Sequence, residues 1–273
     1  MPNINLTSAL RSEYQDLFDS CLINSGTAAT VDNLATKIES NKSRYAAVGG
    51  TRIPWYFIGV IHNMESSLNF AKHLHNGDPL TKRTFQVPAG RPKTGTPPFT
   101  WEESATDALG MKNLFNWTDW EIPGILYKLE QYNGFGYRNF HPSVKSPYLW
   151  SFSNHYTSGK YVADGTWSPT AKSQQCGAAV LLRRLAEKQA INFDKNGNPA
   201  LGNTPATSGP DIGTLAPLVK YAPNKFSQVA ADLQAALNKL PGIFLKVDGL
   251  AGKRTSDAVK ALTGSFLSGD PRA

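Results

Sequence analysis

Cysteine is scarce: Cys21 and Cys176 are the only two in 273 residues. That excludes a disulfide-stapled framework and points to synthesis in a reducing compartment. Two free, buried thiols are expected, with a single bridge between them as the alternative. Long apolar runs are missing as well. No stretch approaches 18 apolar residues, so no membrane-spanning helix is expected. The first residues, "MPNINLTSALRSEYQDLF", carry neither an apolar core nor a cleavage site of the secretory kind, so no signal peptide is expected. Acidic residues are in short supply, 21 against 28 Lys and Arg, which leaves a net charge of +7. A basic chain is drawn to polyanions such as nucleic acid, anionic lipid or an acidic cell wall. No Lys/Arg-rich run stands out, which argues against nucleic acid as a partner. Metal-site patterns are missing too. His62, His73 and His75 lie near Glu65, yet "HNME" lacks the H-E-x-x-H form and no cysteine stands nearby. Neither a metal nor any other cofactor is expected, and His62 reads as a cleft or core histidine.

Aromatic residues, by contrast, are plentiful, with six Trp and ten Tyr. They suit a core, and they also suit sugar binding, where flat rings stack on sugar faces. Trp101, Trp117, Trp120, Trp150 and Trp167 are the candidates for such platforms. Hydrophobic residues at 40% and charged residues at 18% are ordinary for a globular protein, and the length allows one or two domains.

The pattern along the chain is mainly helical. "TSALRSEYQDLFDSCL" (7–22) sets Leu10, Tyr14, Leu17, Phe18 and Cys21 at helical spacing behind a Thr7 or Ser8 cap. "TVDNLATKIESNKSRY" (30–45) carries Val31, Leu34 and Ile38 on one stripe. "GGTR" breaks the chain, and Pro54 suits the first turn of a third, largely buried helix running to about Asn69. Residues 76–100 are rich in Gly, Pro, Asn and Thr; they read as a functional loop with a short strand at Thr84–Val87. "WEESATDALGM" (101–111) and "EIPGILYKLEQY" (121–132) read as helices. Residues 133–169 are aromatic and Gly-rich with no clear period, and 170–191 read as a helix capped near Ser168 or Thr170. Composition then shifts to Gly, Pro, Asn and Thr, a linker signature. Two short helices follow around "IFLKVDGLAGK". The expected organisation is a large domain over 1–192, a linker over 193–222 and a small helical domain over 223–273.

One carboxylate stands out. "IHNMESSLNF" follows the apolar run "WYFIGV" and places Glu65 at the end of the third helix. Such an acid either lies on the wet side or is half buried so that it keeps its proton near neutral pH. A protonated acid is what glycosidic cleavage asks of a leaving-group donor. Inversion asks in addition for a second carboxylate, ~6.5–9.5 Å away, to activate water. Asp78 in "NGDP" is the candidate, with an N-cap or Asx-turn role as its rival.

Two resemblances sharpen this reading. "LQAALNKLPGIFLKVDGLAGKRTSDAVKAL" resembles the three-helix peptidoglycan-binding domain of cell-wall hydrolases, through Leu233, Gln234, Leu237, Val247, Asp248, Gly249, Gly252, Thr255, Ala258 and Val259. It departs at Ala251, where a Phe is common. "MESS", the acid after the Asn-Gly pair, "TFQVPA" and "LEQYNGFGY" together resemble, in order and spacing, the goose-type lysozyme and soluble lytic transglycosylase superfamily. Pro88 and Ala89 stand where goose-type enzymes carry a second Asp; Glu102, Glu103 or Asp107 are alternatives for that place. The nearest whole-chain likeness is a phage or prophage endolysin.

The resemblance implies a mainly α, lysozyme-like catalytic domain with a small three-helix peptidoglycan-binding domain. It implies a muramidase that cleaves the β-1,4 bond between N-acetylmuramic acid and N-acetylglucosamine. Glu65 would be the general acid and Asp78 the water-holding base. His62, Gln86, Tyr132, Asn133 and Tyr137 would contact substrate, and Asp248, Gly249 and Thr255 the wall. A lytic transglycosylase and a non-catalytic wall-binding or virion protein are the alternatives. The expected partner is bacterial peptidoglycan, met by a monomer made in a host cytoplasm and acting on the wall after release.

Overall fold

The computed structural model describes residues 4–163, 165–188, 190–191, 212–240 and 243–273. Among them are twelve α-helices and one two-stranded hairpin, so the fold is mainly α. No helix among the described residues is long and apolar enough to cross a membrane. The chain divides into two compact units. One runs up to Tyr14 and from Ile23 to Leu185; the other comprises Gln15–Leu22 and Ala186–Ala273. Cys21 and Cys176 are both buried and unbridged.

Helix α1 (Ser8–Asp19) starts behind Thr7, whose Oγ1 accepts the Leu10 amide at 3.2 Å. The single helix expected over 30–45 is instead two, α2 (Ala28–Ser40) and α3 (Lys42–Gly49). Asn41 separates them. Its side-chain amide donates to the Lys37 carbonyl at 2.8 Å, a local bond that competes with the helix ladder. Helix α4 (Trp55–Ser66) is the centre of the first unit, with Phe57, Ile58, Val60 and Ile61 fully buried. Its neighbours come close because Gly59 has no side chain. A Cβ there would lie 2.6 Å from Ile38 Cγ2 and 3.0 Å from the Tyr45 ring. The helix stops at Ser66 rather than Asn69. Ser67 and Leu68 turn to left-handed φ values of 54° and 59°, and their amides close on the Asn63 and His62 carbonyls. Glu65 therefore sits in the final turn.

Helix α5 (Trp101–Met111) opens on a reciprocal cap between Thr100 and Glu103. Helices α6 (Ile122–Asn133), α7 (Gly136–Phe140) and α8 (Pro147–Trp150) follow. The hairpin β1 (Lys160–Ala163) and β2 (Thr166–Ser168) is antiparallel, pairing Lys160 with Ser168 and Tyr161 with Trp167. It falls in the segment without clear sequence period. The strand expected at Thr84–Val87 does not form: the Phe85 and Gln86 amides go to the Asp78 carboxylate, and Thr84 bonds within its own loop to Arg91 and Gly90. Helix α9 (Ala178–Glu187) begins seven residues later than a cap at Thr170 would place it. The amides before it are used elsewhere: Ser173 donates to the Tyr156 hydroxyl at 3.2 Å and Gly177 to the Ser151 carbonyl at 3.0 Å.

In the second unit, the expected linker over 193–222 lies outside the described residues up to position 211. Residues 212–222 are not linker but part of the folded unit. Helix α10 (Ile212–Leu215) and a 3-10 turn (Ala216–Leu218) pack on the core of helices α11 (Gln228–Leu237) and α12 (Lys253–Thr263). Phe18, from the N-terminal segment, meets Phe244 edge-on with ring centres 5.6 Å apart.

Asp248, Gly249 and Thr255, expected at a wall-binding face, are internal scaffolding. Buried Gln234 accepts the amides of Asp248 (3.0 Å) and Gly249 (2.9 Å). Its Nε2 faces Asp248 Oδ1, the Leu250 carbonyl and Thr255 Oγ1, each at 3.1 Å. Thr255 is itself buried. Gln234→Leu is expected to cost about 3 kcal/mol, since several buried groups of this turn lose their partners together. Hydrogen exchange at the Gly249 amide reports it; undiminished protection would mean that the turn stands without Gln234.

Candidate active site

Glu65 is carried on the rigid α4, and side chains from four distant segments surround it. Tyr148 donates its hydroxyl to Glu65 Oε1 at 2.9 Å. Tyr132 is buried beside it and donates to the Leu74 carbonyl at 3.3 Å. Lys112 lies 4.6 Å from the centre of the Tyr132 ring, with its ammonium on the Tyr132 carbonyl at 3.3 Å. Gln175 donates to the Met64 carbonyl at 2.8 Å, which fixes the turn of helix that carries the acid. Burial pushes the Glu65 carboxyl up to about 7, against the Tyr148 hydrogen bond and the Lys112 charge, which pull it down. Glu65 is half buried rather than sealed from solvent.

The segment after α4 folds back onto this acid. Gly77 has φ +78°, and a Cβ there would lie 2.9 Å from the Glu65 carbonyl oxygen. Gly77→Ala is expected to destabilise the chain by about 2 kcal/mol, through left-handed strain and this backbone contact. A thermal melt checks it; an unchanged midpoint would show that the contact relaxes freely.

Asp78 does not stand open to hold a water. It is 1% exposed, and both carboxylate oxygens are engaged. Oδ2 accepts the amides of Phe85 (2.8 Å) and Gln86 (3.0 Å), and Oδ1 accepts Gln86 Nε2 at 3.0 Å. Burial pushes its pKa up, but these bonds and one with the Asn76 side chain outweigh that and leave it lowered. The other acids considered for the second place are also committed. Glu102 pairs with Arg44 at 2.8 Å, and Glu103 serves the Thr100 cap. Asp107 binds His75 and Arg91, each at 2.8 Å.

His62 is core, not a substrate ligand. It is fully buried, with Nδ1 3.0 Å from the Tyr45 hydroxyl and its ring against Phe70 and Trp101. Burial pushes its pKa down to about 4, so it is neutral at physiological pH. His73 spans Ser104 Oγ and the Lys82 carbonyl, both at 2.8 Å. No group of three or more His, Cys, Asp or Glu among the described residues is arranged to hold a metal.

Of the expected contact residues, Tyr132 is brought to Glu65. Gln86 is exposed and turned to Asp78, and Asn133 is exposed at the end of α6. Tyr137 is buried against Tyr161 and Trp167 beside the hairpin, where its hydroxyl accepts the Tyr161 amide at 3.4 Å. Among the tryptophans, Trp101 and Trp150 are buried in the core, whereas Trp117, Trp120 and Trp167 keep partly open faces. Trp167 stacks on His141 with ring centres 3.5 Å apart. Tyr148, Lys112 and Gln175 were not anticipated. No local sequence pattern marks them, and only the tertiary fold carries them to Glu65.

Comparison with known proteins adds no relative: no family model matches the chain, nor does any curated protein or solved structure.

Proposed function

We propose that this chain cleaves the β-1,4 glycosidic bond between N-acetylmuramic acid and N-acetylglucosamine in peptidoglycan, with Glu65 as the general acid. The observation that carries the reading is a single half-buried carboxyl whose pKa is raised to about 7 at the end of a rigid helix. Such a group keeps its proton in about half the molecules at pH 7 and in most of them just below, and can give it to a leaving oxygen. Tyr148 donates to Oε1, which leaves Oε2 to carry that proton. The order of the Glu-Ser, Gln-Val and Tyr-Asn elements, and the wall-domain pattern around Gln234, support peptidoglycan as the substrate.

The fate of the sugar cation separates two routes. A muramidase adds water, which needs a carboxylate to activate it. Asp78 and Asp107 have both oxygens in hydrogen bonds or ion pairs, and Glu102 and Glu103 each have one oxygen engaged, by Arg44 and by the Thr100 cap. That favours the route in which the muramic acid's own 6-hydroxyl attacks and Glu65, once deprotonated, takes up the released proton. Mass spectrometry of soluble products from purified peptidoglycan distinguishes the routes. Reducing muramic acid ends mean hydrolysis; anhydro ends, one water lighter, mean the intramolecular route. No products from the wild type, with the protein still pelleting on walls, would overturn the enzymatic reading and leave wall binding.

A further inference from the structure

The loop tip that Asp78 holds displays apolar side chains to water. Phe85 is 67% exposed and Val87 90%. Free loops bury such residues or move, but this backbone is tied from several sides. Besides the three bonds to Asp78, the Thr84 amide donates to the Arg91 carbonyl at 2.8 Å and the Gly90 amide to the Thr84 carbonyl at 2.7 Å. Thr84 Oγ1 donates to the Pro88 carbonyl at 2.5 Å and accepts the Arg91 amide at 2.9 Å. Arg83 closes the base on the Gly95 carbonyl at 2.7 Å. The anchor, Asp78, directly follows Gly77, the residue packed on the Glu65 backbone. The tip is thus a pre-organised apolar surface whose anchor is the chain neighbour of Gly77.

We propose that residues 84–91 form a glycan-gripping lobe of the Glu65 site, with Phe85 and Val87 as contacts and Asp78 as a positioning residue. The ligand is a short run of alternating N-acetylglucosamine and N-acetylmuramic acid; this choice rests on the reading of the chain as a peptidoglycan-cleaving enzyme. The C–H faces of the sugar rings, the N-acetyl methyls and the lactyl methyl are apolar patches of the size one Phe ring and one Val cover. Two side chains are far too little surface for a stable protein interface, which takes about 800 Å² from each partner. A rigid display suits a ligand with few apolar groups, because no ordering cost is left for the moment of binding.

The test uses the full chain carrying Glu65→Gln and a peptidoglycan-derived tetrasaccharide, with Kd read by calorimetry. Phe85→Ala and Asp78→Ala are each expected to weaken binding roughly tenfold. Asp78→Asn is expected to recover most of that loss. Its amide oxygen still accepts the two backbone N–H groups, and exposed Gln86 flips its own amide to pair with the new NH2. Phe85→Ala binding like its parent, or a parent that binds no tetrasaccharide, overturns the lobe. Asp78→Asn as weak as Asp78→Ala overturns the positioning role. In the active background, a kcat collapse with loss of one limb of the pH profile in Asp78→Asn would make Asp78 a catalytic base and overturn the role as well. Failure of the enzymatic reading is a separate result: wild type yields no products from peptidoglycan while Phe85→Ala still raises Kd.

Discussion

Glu65→Gln is expected to lower the rate of peptidoglycan cleavage by roughly 10²–10⁴-fold, the range over which a positioned general acid acts. The substitution is close to isosteric. Gln Oε1 still accepts the Tyr148 hydroxyl, so the helix end and its neighbours stay in place. What is lost is the transferable proton. Substrate affinity is therefore expected to hold, and the loss to fall on kcat. The pH profile of the wild type follows from the same group. With the carboxyl at about 7, the active protonated form predominates below neutrality and declines about tenfold per pH unit well above it. A Glu65→Gln protein that releases products at wild-type rate would remove Glu65 from the chemistry altogether.

The same substitution is expected to stabilise the fold at alkaline pH. A carboxyl raised from 4.5 to about 7 binds its proton more tightly folded than unfolded. Its contribution is fully present below pH 4.5 and is lost as pH rises through 7. By pH 8 the wild type has lost about 2–3 kcal/mol that a neutral Gln never loses. Glu65→Gln should then melt roughly 5–10 °C above wild type at pH 8 and match it near pH 4. Equal melting at both pH values would mean that Glu65 is well hydrated and ionises at its ordinary pKa.

The sequence made some of this site legible and left some hidden, for identifiable reasons. The apolar run Trp55–Val60 behind Pro54 marked a buried helix with Glu65 near its end, because helical period and chain breakers are local signals. Its stop at Ser66 was not legible, since two left-handed residues without glycine have no sequence signature. Asp78 shows how one spacing admits two chemistries. Its place after Asn-Gly suited both a water-holding base and an N-cap or Asx-turn, and the amides of Phe85 and Gln86 make it instead a clamp on a more distant loop. His62 looked available beside Glu65, yet Tyr45, Phe70 and Trp101 enclose it from three other segments. Tyr148, Lys112 and Gln175 reach Glu65 or its carrier turn from 47 to 110 residues away, beyond any local pattern.

The second unit is assembled from two separate stretches of chain, Gln15–Leu22 and everything from Ala186 onward. Genes commonly gain and lose tail domains by recombination at a linker, as cassettes. Here a crossover in the Gly- and Pro-rich stretch would carry away the tail but leave Phe18, the partner of Phe244, with the donor. A tail traded as a cassette would therefore arrive without the 15–22 segment that completes its unit, and Phe244 would lose its aromatic neighbour.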